Sequence, residues 1–122
     1  MAWRGLTAVG LALVVCAIAC GPAHAKGDKQ IAGIAAYYSK DYRGLTASGE
    51  RYDPNKFTCA HRTLPFGTRV RVTDPGSRRS VVVTVNDRGP FNKGRIIDLS
   101  MAAAKELHML GRGLIRVTAA VE

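Results

Sequence analysis

The chain has 122 residues, 47% of them hydrophobic, and 18 Lys and Arg against 9 Asp and Glu for a formal charge of +9. That length holds one hydrophobic core and leaves no room for a second. Three cysteines argue against a disulfide-dense extracellular scaffold, and the positive charge favours an anionic partner.

Residues 1–25 read as a secretory signal segment. Arg4 is followed by an uncharged run from Gly5 to Cys20 and by the small-x-small site Ala23-His24-Ala25, ahead of polar Lys26-Gly27-Asp28-Lys29. The apolar run is short for a membrane span, so cleavage after Ala25 is preferred and no transmembrane span is expected in the mature form. Ala17-Ile18-Ala19-Cys20 faintly resembles a lipobox, which makes acylation of Cys20 the alternative. Arg4 is the one charged residue in 1–25, so residues 26–122 keep a formal charge of +8 and a single cysteine, Cys59. A lone cysteine forms no intrachain disulfide, and its expected role is that of a small buried hydrophobe.

Ile31 to Tyr38 is apolar and aromatic and predicts a first strand. Ser39 to Asn55 is a long irregular loop with turn points at Gly44 and Gly49, of a length that is commonly functional. Thr68 to Thr73 alternates Thr-Arg-Val-Arg-Val-Thr, a half-buried strand with its arginines on the wet face. After the turn Asp74-Pro75-Gly76-Ser77, a more buried strand over Arg79 to Asn86 completes a hairpin. Arg95 to Leu99 is a short strand leading to Ser100, a good N-cap for a helix over Met101 to Met109 that Gly111 ends. Gly113 to Val121 adds a last β-branched strand. Short strands with one helix predict a small, mostly β barrel. No repeat or linker interrupts it, and no second module is expected after Glu122.

The densest chemical group is Val83 to Phe91, where Asp87 ends a strand in the polar turn Asn86-Asp87-Arg88-Gly89-Pro90. A strand end fixes a side chain while loops shape the surface around it. From spacing alone, turn chemistry is the better account of Asp87, with bonds to nearby backbone N–H groups and a pairing with Arg88. The long loop holds Glu50 and Tyr52, and Thr58 to Pro65 holds His61. Taken singly, Glu50 reads as a solvated charge and His61 as a hydrogen-bonded structural residue. His24 leaves with the signal, and His61 and His108 have no ligand spacing, so neither a metal nor another cofactor is expected. His108 reads as helix surface or a complement to the helix dipole. The basic residues form no block and do not alternate with aromatics, which with the export signal argues against a nucleic-acid partner.

Taken in order, Gly33-Ile-Ala-Ala-Tyr37-Tyr38, Thr46-Ala-Ser-Gly-Glu50-Arg-Tyr52-Asp53, Ala60-His61-Arg-Thr-Leu-Pro65-Phe-Gly67, Val85-Asn86-Asp87-Arg88-Gly89-Pro90-Phe91 and Arg95-Ile-Ile-Asp98-Leu99-Ser100 resemble the bacterial rare lipoprotein A family. Its members are septal-ring lytic transglycosylases, and the resemblance runs from about Gly33 to Val121. It implies a six-stranded double-psi β-barrel with one short α-helix over residues 26–122, the fold of barwin-like proteins and expansins. It also implies endolytic cleavage of the β-1,4 bond between N-acetylmuramic acid and N-acetylglucosamine in peptide-stripped peptidoglycan, leaving 1,6-anhydro-muramic ends, in wall remodelling or daughter-cell separation. The alternative is a non-catalytic, expansin-like module that binds wall polysaccharide.

Carried over by residue, the resemblance implies Asp87 as general acid/base and Glu50 as a second acid that assists it or contacts the sugar. His61 would bond substrate or orient a carboxylate. Tyr38, Tyr52, Asn86 and Arg88 would contact the glycan, Arg88 also steadying Asp87, although Tyr38 reads nearly as well as buried core. The expected setting is the periplasm or cell envelope, with an outer-membrane anchor if Cys20 is acylated. The expected partner of this monomer is the glycan strand. Cys59 stands where the family more often has Ala.

Overall fold

The computed structural model describes residues 29–122, and the signal and lipidation readings at residues 1–25 lie outside the described residues. Six strands and one helix follow in the order β1 (Gln30–Tyr37), β2 (Thr58–Ala60), β3 (Arg69–Asp74), β4 (Arg79–Asp87), β5 (Arg95–Leu99), α1 (Met101–Glu106) and β6 (Ile115–Val121). They close into a barrel in the order β1-β5-β2-β4-β3-β6. Two pairs are parallel, β1 with β5 and β2 with β4, while every other pair is antiparallel. Closure removes the free sheet edges a short-stranded protein would otherwise expose. Among the described residues no helix is long and apolar enough to cross a membrane.

Alternation builds the core. In β3, Val70 and Val72 are buried while Arg69 and Arg71 are exposed, and β4 buries Val81, Val83 and Val85. These valines pack with Ile97, Leu99, Leu107, Met109 and Val117 in one cluster. Cys59 lies inside it as a free, fully buried thiol. Burial pushes that thiol up to about 12, with the Asp98 charge adding to it, so it is no nucleophile at neutral pH.

Each parallel pair carries a register shift. Cys59 pairs with Val85 and Ala60 with Asp87, leaving Asn86 as an extra residue on β4. Ile34 pairs with Arg95 and Ala35 with Ile97, leaving Ile96 extra on β5. Such bulges bend the strand and re-aim the side chains beside them.

Two elements differ from their sequence reading. β2 has three residues, too few to show any period. The helix begins at the expected cap, where the Ser100 side chain accepts the Ala103 N–H, but ends at Glu106 and not at Met109. His108 turns to φ 55°, its N–H bonding the Lys105 carbonyl and the next N–H, of Met109, bonding that of Ala104. That is a Schellman ending with His in the position usually given to glycine. Gly111 lies beyond it, and His108 is therefore a terminator of the helix and not part of its surface.

Candidate active site

Asp87 closes β4, one residue past the bulged Asn86. Its Oδ1 accepts the N–H groups of Ala47 at 2.7 Å and Arg88 at 2.9 Å, and its Oδ2 accepts the Tyr38 hydroxyl at 2.5 Å. The turn-chemistry account is met only in part: the Arg88 N–H is a local backbone donor, while the other backbone donor, Ala47, comes from a distant loop and the Arg88 guanidinium does not pair with the carboxylate. Two donors fill the lone pairs of Oδ1 and one engages Oδ2, so a single Oδ2 lone pair is left for a transferable proton.

The first wall of the site is the loop Thr46–Glu50. Leu45 bridges Arg51, the Thr46 N–H bonds the Glu50 carbonyl at 2.7 Å, and Gly49 turns the chain with φ 96°. That positive φ is open to glycine at little cost. The loop docks on the strand end through the Ser48 N–H to the Asn86 carbonyl and the Ala47 N–H to Asp87. Glu50 is thereby brought beside Asn86, whose Nδ2 donates to Glu50 Oε1 at 3.0 Å while Ser48 donates to the same oxygen at 3.4 Å. Asn86 is 8% exposed, so it serves as the strut between the two acids and offers little surface to a ligand. Glu50 is exposed, and its Oε2 has no partner among the described residues.

A three-tyrosine stack supports this floor. Tyr38 lies parallel to Tyr52 with centroids 4.4 Å apart and planes 14° apart, and Tyr42 meets both edge-on. Tyr52 is 5% exposed and its hydroxyl accepts the Met101 N–H at 3.0 Å. A ring so covered offers no face to a sugar, which corrects the expectation for Tyr52. One face of Tyr38 is likewise taken by Tyr52. Burial, then the bond to Asp87, raises the Tyr38 phenol far above its ordinary range, so it remains a donor.

Arg88 and His61 also depart from expectation. The Arg88 Nη1 donates to the carbonyls of Leu64 at 2.9 Å and His61 at 3.1 Å, and its guanidinium lies 4.2 Å from the Phe66 ring centroid. It clamps the 61–66 loop and makes no ion pair with the Asp87 carboxylate. His61 joins Asp87 only through backbone, its N–H bonding the Asp87 carbonyl at 3.2 Å. Its Nδ1 accepts the N–H groups of Thr63 at 3.1 Å and Leu64 at 3.2 Å, so the neutral ring carries its proton on Nε2. Burial and the nearby Arg62 and Arg88 hold its pKa below the usual range. The imidazole thus organises its own loop and orients no carboxylate.

The sequence reading assigned no role to Asp98, Phe66 or Phe91. Register places Ala36, Asp98, Ala60 and Asp87 in one row across β1, β5, β2 and β4. The Asp98 carboxyl is raised chiefly by burial, with the Asp87 charge adding to it and Arg95 opposing. Arg95 Nη2 stands 3.7 Å from Asp98 Oδ1, and both that oxygen and Arg95 Nε are buried without a hydrogen-bond partner. Phe66 and Phe91 are 44% and 78% exposed. Both follow a proline, Phe66 in the connection from β2 to β3 and Phe91 in that from β4 to β5, a repeated Pro-Phe pair that was visible in the sequence. Arg62 Nη1 ties the two turns together through the Pro90 carbonyl at 3.3 Å.

Two clefts lie elsewhere. One of about 450 Å³ runs between Phe57 and α1, and another of about 420 Å³ is lined by His61, Leu64, Ile96 and Val121. Neither contains Asp87 or Glu50. Glu50 is exposed and Asp87 half-buried at the strand end.

The family described as "Lytic transglycolase" matches residues 30–119. The chain is 56% identical over 88 residues to the "Probable endolytic peptidoglycan transglycosylase RlpA" of Nostoc sp., covering 70% of this chain and 24% of that protein. It is 53% identical over 83 residues to the endolytic peptidoglycan transglycosylase RlpA of Pasteurella multocida, covering 67% and 28%. The chain thus spans about a quarter of the length of these curated relatives. Among solved structures, a Streptomyces papain inhibitor superposes with a TM-score of 0.63 at 27% identity, covering 77% of this chain and 94% of that one. An expansin of Clavibacter michiganensis follows with a TM-score of 0.62 at 21% identity over 77% and 50%. The latter likeness shows the fold alone.

Proposed function

The chain belongs to the rare lipoprotein A family of double-psi β-barrels, and on that premise we propose that it is an endolytic lytic transglycosylase of peptidoglycan glycan strands. The observation that carries this reading is the docking of the loop that bears Glu50 against the strand end that bears Asp87, with Asn86 bonding Glu50. Asp87 protonates the glycosidic oxygen as its bond to the muramic anomeric carbon breaks. The muramic 6-hydroxyl then attacks that carbon and returns its proton to Asp87. One carboxyl group serves both transfers, and no water enters the product. The free oxygen of Glu50 faces the positive charge that develops on the sugar ring. Phe66 and Phe91 supply apolar faces for the pyranose rings, in place of Tyr52.

The finer setting belongs to the same proposal. The protein works in the cell envelope as an exported monomer, released after Ala25 or, in the alternative, held by a lipid on Cys20.

The test is to incubate the purified protein, wild type and Asp87→Asn, with peptidoglycan and with amidase-stripped glycan, and to identify released sugars by mass spectrometry. Wild type is expected to release 1,6-anhydro-muramic ends, and Asp87→Asn to lose about 100-fold or more of that rate while still binding glycan. Reducing ends carrying oxygen from water would make the protein a hydrolase. Retention of glycan with no product from either form would make it a binding module.

A further inference from the structure

Tyr38 is fixed at three points. Its backbone N–H bonds the Leu99 carbonyl at 3.0 Å, its ring lies flat on Tyr52, and its hydroxyl donates to Asp87 Oδ2. Tyr52 is in turn held by the Met101 N–H at the start of α1. The phenol is therefore a rigid arm running from β5 and α1 to the carboxylate at the end of β4. Ordering so long a side chain costs rotamer entropy, which these contacts offset.

We infer that Tyr38 is the positioning residue of Asp87: its hydroxyl occupies one Oδ2 lone pair and so directs the transferable proton to the other, on the side from which substrate approaches. This rests on the lytic reading of Asp87. Without the phenol the carboxyl group would keep its Oδ1 donors but turn more freely about its last torsion, and the proton would be presented in several directions.

Tyr38→Phe removes the hydroxyl and keeps the stack on Tyr52. Rates on stripped glycan, measured as 1,6-anhydro ends across pH, are expected to show kcat lowered about tenfold with KM within about twofold. Tyr37→Phe, at the neighbouring residue that ends β1 and packs against the core, is the control and should leave kcat and KM unchanged. A structural role alone would lower the yield of folded protein without lowering kcat per folded molecule. An unchanged kcat in Tyr38→Phe would overturn the assignment. Should wild type release no anhydro ends, the lytic reading fails by itself. The assignment then stands or falls on a crystal structure of Tyr38→Phe, in which the Asp87 carboxyl group must take more than one orientation about its last torsion; a single unchanged orientation would overturn it.

Discussion

Replacing Asp87 by Asn and by Ala separates two uses of one side chain. In Asn, the amide oxygen can still accept the Ala47 and Arg88 N–H groups, so the 46–50 loop stays docked and only the proton is lost. In Ala, those donors lose their acceptor, and a further loss of stability of about 1 kcal/mol is expected in a urea titration. His61 makes a different prediction. Its folded-state pKa lies below the ordinary 6.5, so below that pH the unfolded chain binds more protons than the native one. Stability from this group is complete above about pH 6.5 and falls as pH drops toward the lowered native value. His61→Asn, whose side-chain oxygen can take the Thr63 and Leu64 N–H groups, should show a flatter stability profile between about pH 5 and 7. An equally steep profile would show that another group titrates there. At this scale residue type and motif singled out Asp87 and Glu50, which the structure brings together around Asn86. Tyr52 and Arg88 were not, because a phenol or a guanidinium can serve substrate or scaffold, and only its neighbours decide which.

At the scale of elements, the hairpin β3–β4 was plain in the alternation of Val and Arg, and Ser100 announced its helix. The bulges at Asn86 and Ile96 were invisible, because an extra residue is defined only by the strand opposite. They matter most near the site, where Asn86 is the extra residue immediately before Asp87. The bulge at Ile96 yields a test. A Cβ built on Gly33 would lie 2.5 Å from Ile96 Cγ2, closer than packed carbons tolerate, so the bulged isoleucine occupies the space that glycine leaves empty. Gly33→Ala should cost about 1–3 kcal/mol by thermal or urea unfolding. Gly33→Ala with Ile96→Ala should cost less than the sum of the two single changes, because the clash is shared. Simple additivity would show that Ile96 moves aside freely. Helix α1 teaches the same lesson in reverse. Gly111 looked like its terminator, but His108 adopts the left-handed turn, because Leu107 and Met109, both fully buried, bring the chain back to the core there.

Over the whole molecule, closure of the barrel places chain segments far apart in sequence around one surface. Tyr38, Ala47, Glu50 and Asp87 meet because β1, β5, β2 and β4 are neighbours in the sheet, and no short-range pattern contains that order. The net positive charge belongs to this scale as well. A formal charge of +8 over residues 26–122 should draw the protein to an anionic wall polymer through many weak, screened contacts. Retention on purified wall should therefore fall several-fold between about 50 mM and 500 mM salt, while binding to a neutral N-acetylglucosamine oligomer changes little. Equal salt dependence for the two ligands would mean that the charge does not guide binding.

Composition, alternation and turn residues determined a small β-rich barrel with one capped helix, because burial of every second side chain in a strand is a local requirement written into nearest neighbours. The ordered motifs determined the family and pointed to Asp87 and Glu50. What only the tertiary structure decided is how those acids are held: the bulge that aims Asp87, the asparagine strut to Glu50, the tyrosine stack beneath, and the turning of Arg88 and His61 toward a loop. Each of these depends on a hydrogen bond or contact across strands or loops, and such contacts exist only once the barrel has closed.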